Sequence, residues 1–258
     1  MEFYTLASSS AGNAALLIAG GTTVLIDAGI SARRIAQALH ALGVEPAALD
    51  AVLITHEHSD HVKGLATLTK HWRGPVYASR GTARCLPCAP EQRCAFSSGD
   101  AFDLGALRVQ SFRTSHDATD SVGYRFDCEE GSLGILTDTG FVTEEAEQVL
   151  DGAELLLLEA NHDVDMLRGG PYPYYLKERI LGPRGHLSND AAAEFAVRCA
   201  ERGTRDVVLA HLSAENNTPV LAEYTVARAL QRGGYDVHLG VAPRDAVGAR
   251  HICARTRR

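Results

Sequence analysis

The chain has 258 residues, 45% of them apolar and 22% charged, and a net charge of −7. That composition belongs to a folded globular protein, argues against disorder, and argues against broad, sequence-independent affinity for nucleic acid. The N-terminus has no basic segment leading into an apolar run, no stretch approaches the ~20 apolar residues of a membrane span, and six scattered cysteines do not suggest a disulfide framework. A cytoplasmic protein with one domain over residues 1–258 is expected, and no obligate protein partner is evident.

Short β-patterned runs at Phe3–Leu6, Ala14–Ala19 and Thr22–Ile26 open the chain, and Gly20-Gly21 supplies the positive φ of a hairpin turn between the last two. Ser31 caps a helical pattern with Ile35, Leu39 and Leu42 on one face, and Gly43 stops it. The strand Ala51–Ile54 ends directly on a histidine cluster. A helix is expected near Val62–His71, strands at Pro75–Ala78, Leu107–Phe112, Val122–Phe126 and Leu133–Leu136, and a helix near Glu144–Leu150. Leu155–Leu158 and Asp206–Ala210 read as buried strands, Asp190–Arg202 and Val220–Gln231 as helices, and Val237–Val241 as the last strand. His162–Arg184, punctuated by glycine and proline, is expected to protrude as a loop region. This order predicts an α/β protein of two mixed sheets packed face to face with helices outside both, rather than a doubly wound sheet.

The strongest chemical signal is Thr55-His56-Glu57-His58-Ser59-Asp60-His61. Along an extended segment His56 and His58 project to one side and can share a cation, whereas Asp60 and His61, on the turn into the next helix, can serve a second. In a chain with 11 histidines, three His and one Asp at these offsets arise by chance in about one case in a thousand. Cys85, Cys88 and Cys94 have the spacing of a small metal knuckle but lack an evident fourth ligand, and read as thiols in a loop. Arg33-Arg34 and the tail Arg255-Thr-Arg-Arg258 are basic runs that could meet phosphate or face solvent.

Residues 56–61 match the His-x-His-x-Asp-His signature of the metallo-β-lactamase superfamily, and further motifs resemble that superfamily in order. The resemblance implies its four-layer αββα sandwich and two divalent metal ions per chain. It implies that His56, His58 and His116 bind one ion, that Asp60, His61 and His211 bind the other, and that Asp138 bridges them, with Asp60 counted as catalytic too. His116 stands in Thr114-Ser-His116-Asp117, Asp138 in Leu136-Thr-Asp138-Thr-Gly140, and His211 in Leu209-Ala-His211-Leu-Ser213. Asp27, in Val24-Leu-Ile-Asp27-Ala-Gly29, fits the aspartate that supports the histidine loop. These nitrogen and oxygen donors suit zinc, manganese or iron alike.

Glu159-Ala-Asn161 resembles a Glu-Ala-Thr segment of the phosphodiesterase branch, which includes the transfer-RNA 3′-processing endonucleases, and Gly185-His186-Leu-Ser188 resembles its histidine motif. By that resemblance Glu159 orients His186, which protonates the leaving alkoxide. A phosphodiester expels a poor leaving group, so a Glu–His pair favours phosphoester over thioester hydrolysis. The opening Ala7-Ser-Ser-Ser10-Ala-Gly-Asn13 narrows the resemblance to the small YycJ/WalJ-like 5′→3′ DNA exonucleases. Ser10 and Asn13 are candidate contacts to substrate phosphate, although a plain polar turn explains the same residues equally well. The expected function is a metal-dependent 5′→3′ DNA exonuclease with DNA as its partner. A small-molecule phosphodiesterase or thioester hydrolase of the same fold is the alternative.

Overall fold

The short apolar runs pair into two seven-stranded sheets in a computed structural model that describes residues 1–253. The basic run Arg255–Arg258 lies outside the described residues. One sheet is ordered β14 (His251–Ile252), β1 (Glu2–Ala7), β2 (Ala14–Ala19), β3 (Thr22–Ile26), β4 (Ala51–Leu53), β5 (Val76–Ser79) and β6 (Arg93–Phe96). The other is ordered β13 (His238–Val241), β12 (Asp206–Ala210), β11 (Leu155–Glu159), β10 (Gly131–Leu136), β9 (Val122–Cys128), β8 (Leu107–Arg113) and β7 (Ala101–Leu104). Both are mixed: β1 to β3 are antiparallel and β3 to β6 parallel, while β7 to β10 are antiparallel and β10 to β13 parallel.

Alternation along each strand sorts side chains into layers. Leu17, Val24, Leu53, Tyr124, Leu133, Leu155 and Leu157 fill the space between the sheets. Their neighbours Leu16, Leu25 and Val52 turn outward onto Ile35 and Leu39 of α1 (Ala32–Ala41) and onto Leu65 and Leu68. On the far side, Leu156 and Leu158 meet Phe195 of α8 (Asn189–Glu201) and Val226 of α9 (Pro219–Gly233). The expected αββα sandwich is therefore present, with both inner and outer faces of the sheets apolar because each is covered.

Several local expectations need correction. The helix expected from Val62 to His71 is two helices, α2 (Ser59–Val62) and α3 (Leu65–His71), interrupted at Gly64. A Cβ on Gly64 would lie 2.1 Å from the Ile30 carbonyl oxygen, so the backbone breaks where it must pass another chain segment. The 162–184 stretch is not simply a loop: Asp163 caps α6 (Val164–Gly169), and Pro173 leads into α7 (Tyr174–Leu181). Sequence reasoning also passed over α4 (Arg80–Cys85), β6, β7 and β14. Cys85 ends α4 and Cys94 lies in β6, and the metal-capable groups among the described residues contain no cysteine. No helix among the described residues is long and apolar enough to cross a membrane.

The histidines and carboxylates of interest gather beyond the carboxyl ends of β3, β4, β10, β11 and β12, where parallel strands release the chain into turns. Asp27, Asp138 and His211 each adopt a left-handed backbone, at φ 59°, 55° and 58°. A non-glycine residue rarely occupies that region, and three such turns at one edge mark a strained, over-determined site. Gly29 sits so close to α2 that a Cβ would fall 1.6 Å from the Asp60 carbonyl oxygen. Gly29→Ala should therefore push α2 away and cost about 2–3 kcal/mol of stability, seen as a lowered urea midpoint with an unchanged slope; an unaltered midpoint would show that the contact yields freely.

Candidate metal centre

Two sets of donors converge in the seam between the sheets: His56, His58 and His116, and then Asp60, His61, Asp138 and His211, each set with its donor atoms within 4.8 Å of one another. All seven residues expected as ligands are thus brought together. Asp138 stands between the sets, with one carboxylate oxygen 3.2 Å from His61 Nε2 and the other 3.5 Å from His211 Nε2 and 3.8 Å from His116 Nε2. The site opens to solvent at His58, Asp60, Asp117 and His186, each partly exposed, while His56, His61, Asp138 and His211 are buried.

The outer ring nitrogens are held by buried acceptors, which determines what each imidazole presents inward. His61 Nδ1 donates to Asp27 at 2.7 Å, and Asp27 also accepts from the Thr55 amide at 2.9 Å and the Thr55 hydroxyl at 3.0 Å. Glu159 Oε1 accepts from Nδ1 of both His211 and His186, each at 2.8 Å, while Oε2 accepts from the amides of Thr139 and Leu187. His116 Nδ1 donates to the Gly185 carbonyl at 3.2 Å. With the proton on Nδ1, Nε2 of His61, His116 and His211 carries a lone pair toward the centre. His58 differs, turning Nδ1 toward His116 Nε2 at 3.2 Å.

Electrostatics agree with a site built for positive charge. Burial opposes charge on His211, yet Asp138, Asp60 and Glu159 push its pKa up to about 10. His61 is likewise raised well above the usual imidazole range against burial, by Asp27 and Asp138. Burial also works against Glu159, but His186 and His211 bring its pKa down to about 2. His56 goes the other way, kept neutral by burial and by the neighbouring imidazoles. Its Nε2 is buried with no hydrogen-bond partner among the described residues. An unpaired lone pair beside carboxylates that retain protons on their neighbours fits divalent cations, which would supply the missing charge and fill the empty donor position.

The remaining expected residues fall into place unevenly. Glu159 and His186 join Asp138 and His211 in a third convergent group, with His186 Nδ1 3.7 Å from Asp138. Ser10 is exposed, but Asn13 is buried with its amide turned inward. Its Oδ1 accepts from the Ser9 amide and its Nδ2 donates to the Ser9 carbonyl, 3.1 Å from His61 Nε2. Asn13 therefore shapes its loop against the histidines.

Sequence reasoning passed over the supports Thr55, Asn161 and Ser8, the last of which accepts from the His211 amide at 2.8 Å. It also passed over Asp117, 3.5 Å from His116 Nε2 and paired with Arg179 of α7. Each lies within or beside a quoted motif, so their signal was proximity along the chain. Arg34 of the Arg33-Arg34 pair is bound to Asp245.

The sandwich with a His/Asp centre at its strand ends defines the class, and residues 22–212 match the beta-lactamase superfamily domain. This chain belongs to that superfamily. It is 37% identical over 247 residues to the exodeoxyribonuclease WalJ of Streptococcus pneumoniae serotype 2 (strain D39 / NCTC 7466), covering 93% of this chain and 91% of that protein. To the exodeoxyribonuclease YycJ of Bacillus anthracis it is 36% identical over 242 residues, covering 92% of each. The fold is shared with the metallo-beta-lactamase fold protein YhfI of Bacillus subtilis, at a TM-score of 0.74 and 16% identity over 96% of this chain and 98% of that one.

If Asp27 holds the His61 tautomer, Asp27→Asn should weaken one cation site by ~10–100-fold with little loss of fold, since asparagine tolerates the left-handed backbone. Competition against a chromophoric chelator would measure this, and equal affinity in the variant would remove Asp27 from the site's support.

Proposed function

We propose that the protein is a metal-dependent phosphodiester hydrolase that degrades DNA stepwise from a 5′ end. The observation that carries the reading is the Glu159–His186 pair, joined at 2.8 Å beside Asp138, in a chain similar over nearly its whole length to curated exodeoxyribonucleases. His56, His58 and His116 would hold one divalent ion, Asp60, His61 and His211 the other, and Asp138 both, with zinc, manganese and iron all suited to these donors. Bound there, the ions would supply an activated water and charge neutralisation at the phosphoryl oxygens.

The chain's own residues account for the rest. Glu159 raises the pKa of His186 against the effect of burial, and so favours an imidazolium whose Nε2–H can go to the leaving alkoxide. Asp60 Oδ2 lies 3.4 and 3.3 Å from Nε2 of His61 and His211, so that these three donor atoms face a common place as ligands. The segment carrying His186 also forms the rim: Ser115 beside His116 donates to the Pro183 carbonyl, and Arg184 donates to the His116 carbonyl. On α7, Tyr175 is exposed and lies one turn from Arg179, the partner of Asp117. An aromatic face beside a guanidinium suits an unpaired nucleotide and its phosphate. Local cations of this kind answer the acidic overall charge.

End-labelled linear duplexes and closed circular DNA, incubated with and without added divalent ion, test the reading. Stepwise release of label from the 5′ end, abolished by chelator, is expected; nicking of the circle, or hydrolysis only of a cyclic phosphodiester or an acyl thioester, would defeat it.

His186→Ala separates proton donation from metal binding. It should retain the metal content of the parent and lose ~10²–10⁴-fold in rate on DNA, but far less on an aryl phosphodiester, whose phenolate leaves without a proton. Equal loss on both substrates would make His186 a positioning residue instead.

A further inference from the structure

At the opposite end of β12 from His211 lies a second meeting of imidazole and carboxylate that the reaction does not use. Asp206 opens β12 and is paired in register with His238, the first residue of the neighbouring parallel strand β13. His251 belongs to the other sheet, where β14 pairs with β1. His238 Nδ1 lies 3.0 Å from Asp206 Oδ1, and His251 Nδ1 lies 2.8 Å from Asp206 Oδ2. The two rings are 5.7 Å apart between centroids. Five strand residues, roughly 16 Å, separate this cluster from the catalytic edge.

We propose that Asp206, His238 and His251 form a further cation site, selective for a zinc-class divalent ion, that ties the edge of one sheet to the edge of the other. The three donor atoms lie within 4.8 Å of one another. Two imidazole nitrogens and one carboxylate oxygen are the donors of zinc-class ions rather than of calcium or magnesium, which take oxygen. Here imidazoles from both sheets meet the two oxygens of a single carboxylate, so that three donor groups converge at one place in the fold. His251 is buried and His238 is 68% exposed at its side chain, so an ion would be anchored from within and reached from solvent through His238, which leaves room for water as a fourth ligand. Its effect would be structural, because β14 is only two residues long and, among the described residues, its hydrogen-bonded link to β12 is the one from His251 to Asp206.

The exposed His238 permits a test with little risk to folding. Full-length protein and His238→Ala, both stripped by chelator, would be equilibrated with zinc and analysed for bound metal after removal of excess. The parent should hold one more equivalent than the variant, and its melting temperature should rise with zinc by ~5 °C more, as expected for an ion present near 100 times its dissociation constant. Hydrolysis by the variant with the catalytic ions supplied should stay within about twofold of the parent. Equal zinc content in the two proteins would overturn the site and leave Asp206 as a hydrogen-bonded clasp, with each imidazole donating Nδ1–H to its carboxylate. Loss of the extra equivalent without any difference in melting shift would overturn the structural role.

Discussion

The arrangement of the catalytic edge depends on a simple requirement: carboxylates taken out of water must be met by donors or by positive charge. Glu159 is fully buried, and its two oxygens accept from His186, His211, Thr139 and Leu187. One side chain therefore ties the end of β11 to the turn after β12, the turn after β10 and the entry to α8. Leaving such a carboxylate unpaired in a low-dielectric interior costs several kcal/mol, so the four partners are held as a unit. Asp27 imposes the same requirement on the other sheet through Thr55 and His61.

Backbone geometry supplies the second constraint. Asp27, Asp138 and His211 are left-handed residues at strand ends, where the chain leaves the sheet abruptly and aims a side chain across the seam. Strain of this kind, about 1–3 kcal/mol per residue, persists only where surrounding contacts over-determine the turn. The hydrogen bonds from Thr55 to Asp27, from the Thr139 amide to Glu159, and from the His211 amide to Ser8 are such contacts. Rigidity of the sheets is thereby converted into precision at the loops that carry chemistry.

The candidate metal donors and His186 come from different parts of the fold. The seven converging His and Asp residues arise from turns between core strands, whereas His186 arrives on a segment that follows α7 and packs across His116 by way of Ser115, Arg184 and Gly185. The fold supports many hydrolytic chemistries, and α7 with the segment after it adds the exposed Tyr175 together with Arg179 and Arg184, which bind Asp117 and the His116 carbonyl.

Much of this was legible along the chain because it is local. The apolar runs of β1 to β3, β8 to β10 and β12 reflect burial that each strand carries in its own residues, and the His-x-His-x-Asp-His run brings its donors close together along the chain. Asp138, Glu159, His186 and His211 were found through resemblance, since nothing within each short segment says that it meets the others. What the sequence hid was decided by distant partners. β6 and β7 are short edge strands whose pattern shows little burial, Gly64 breaks a helix because Ile30 passes beside it, and the Asn13 amide turns inward because the histidine loop lies there to receive it. Asp206, His238 and His251 stand up to 45 residues apart and share no motif. Only the closing of one sheet over the other brings a buried imidazole from the edge of one against a carboxylate on the penultimate strand of the other, because side-chain proximity across a seam depends on packing that no single stretch of chain encodes.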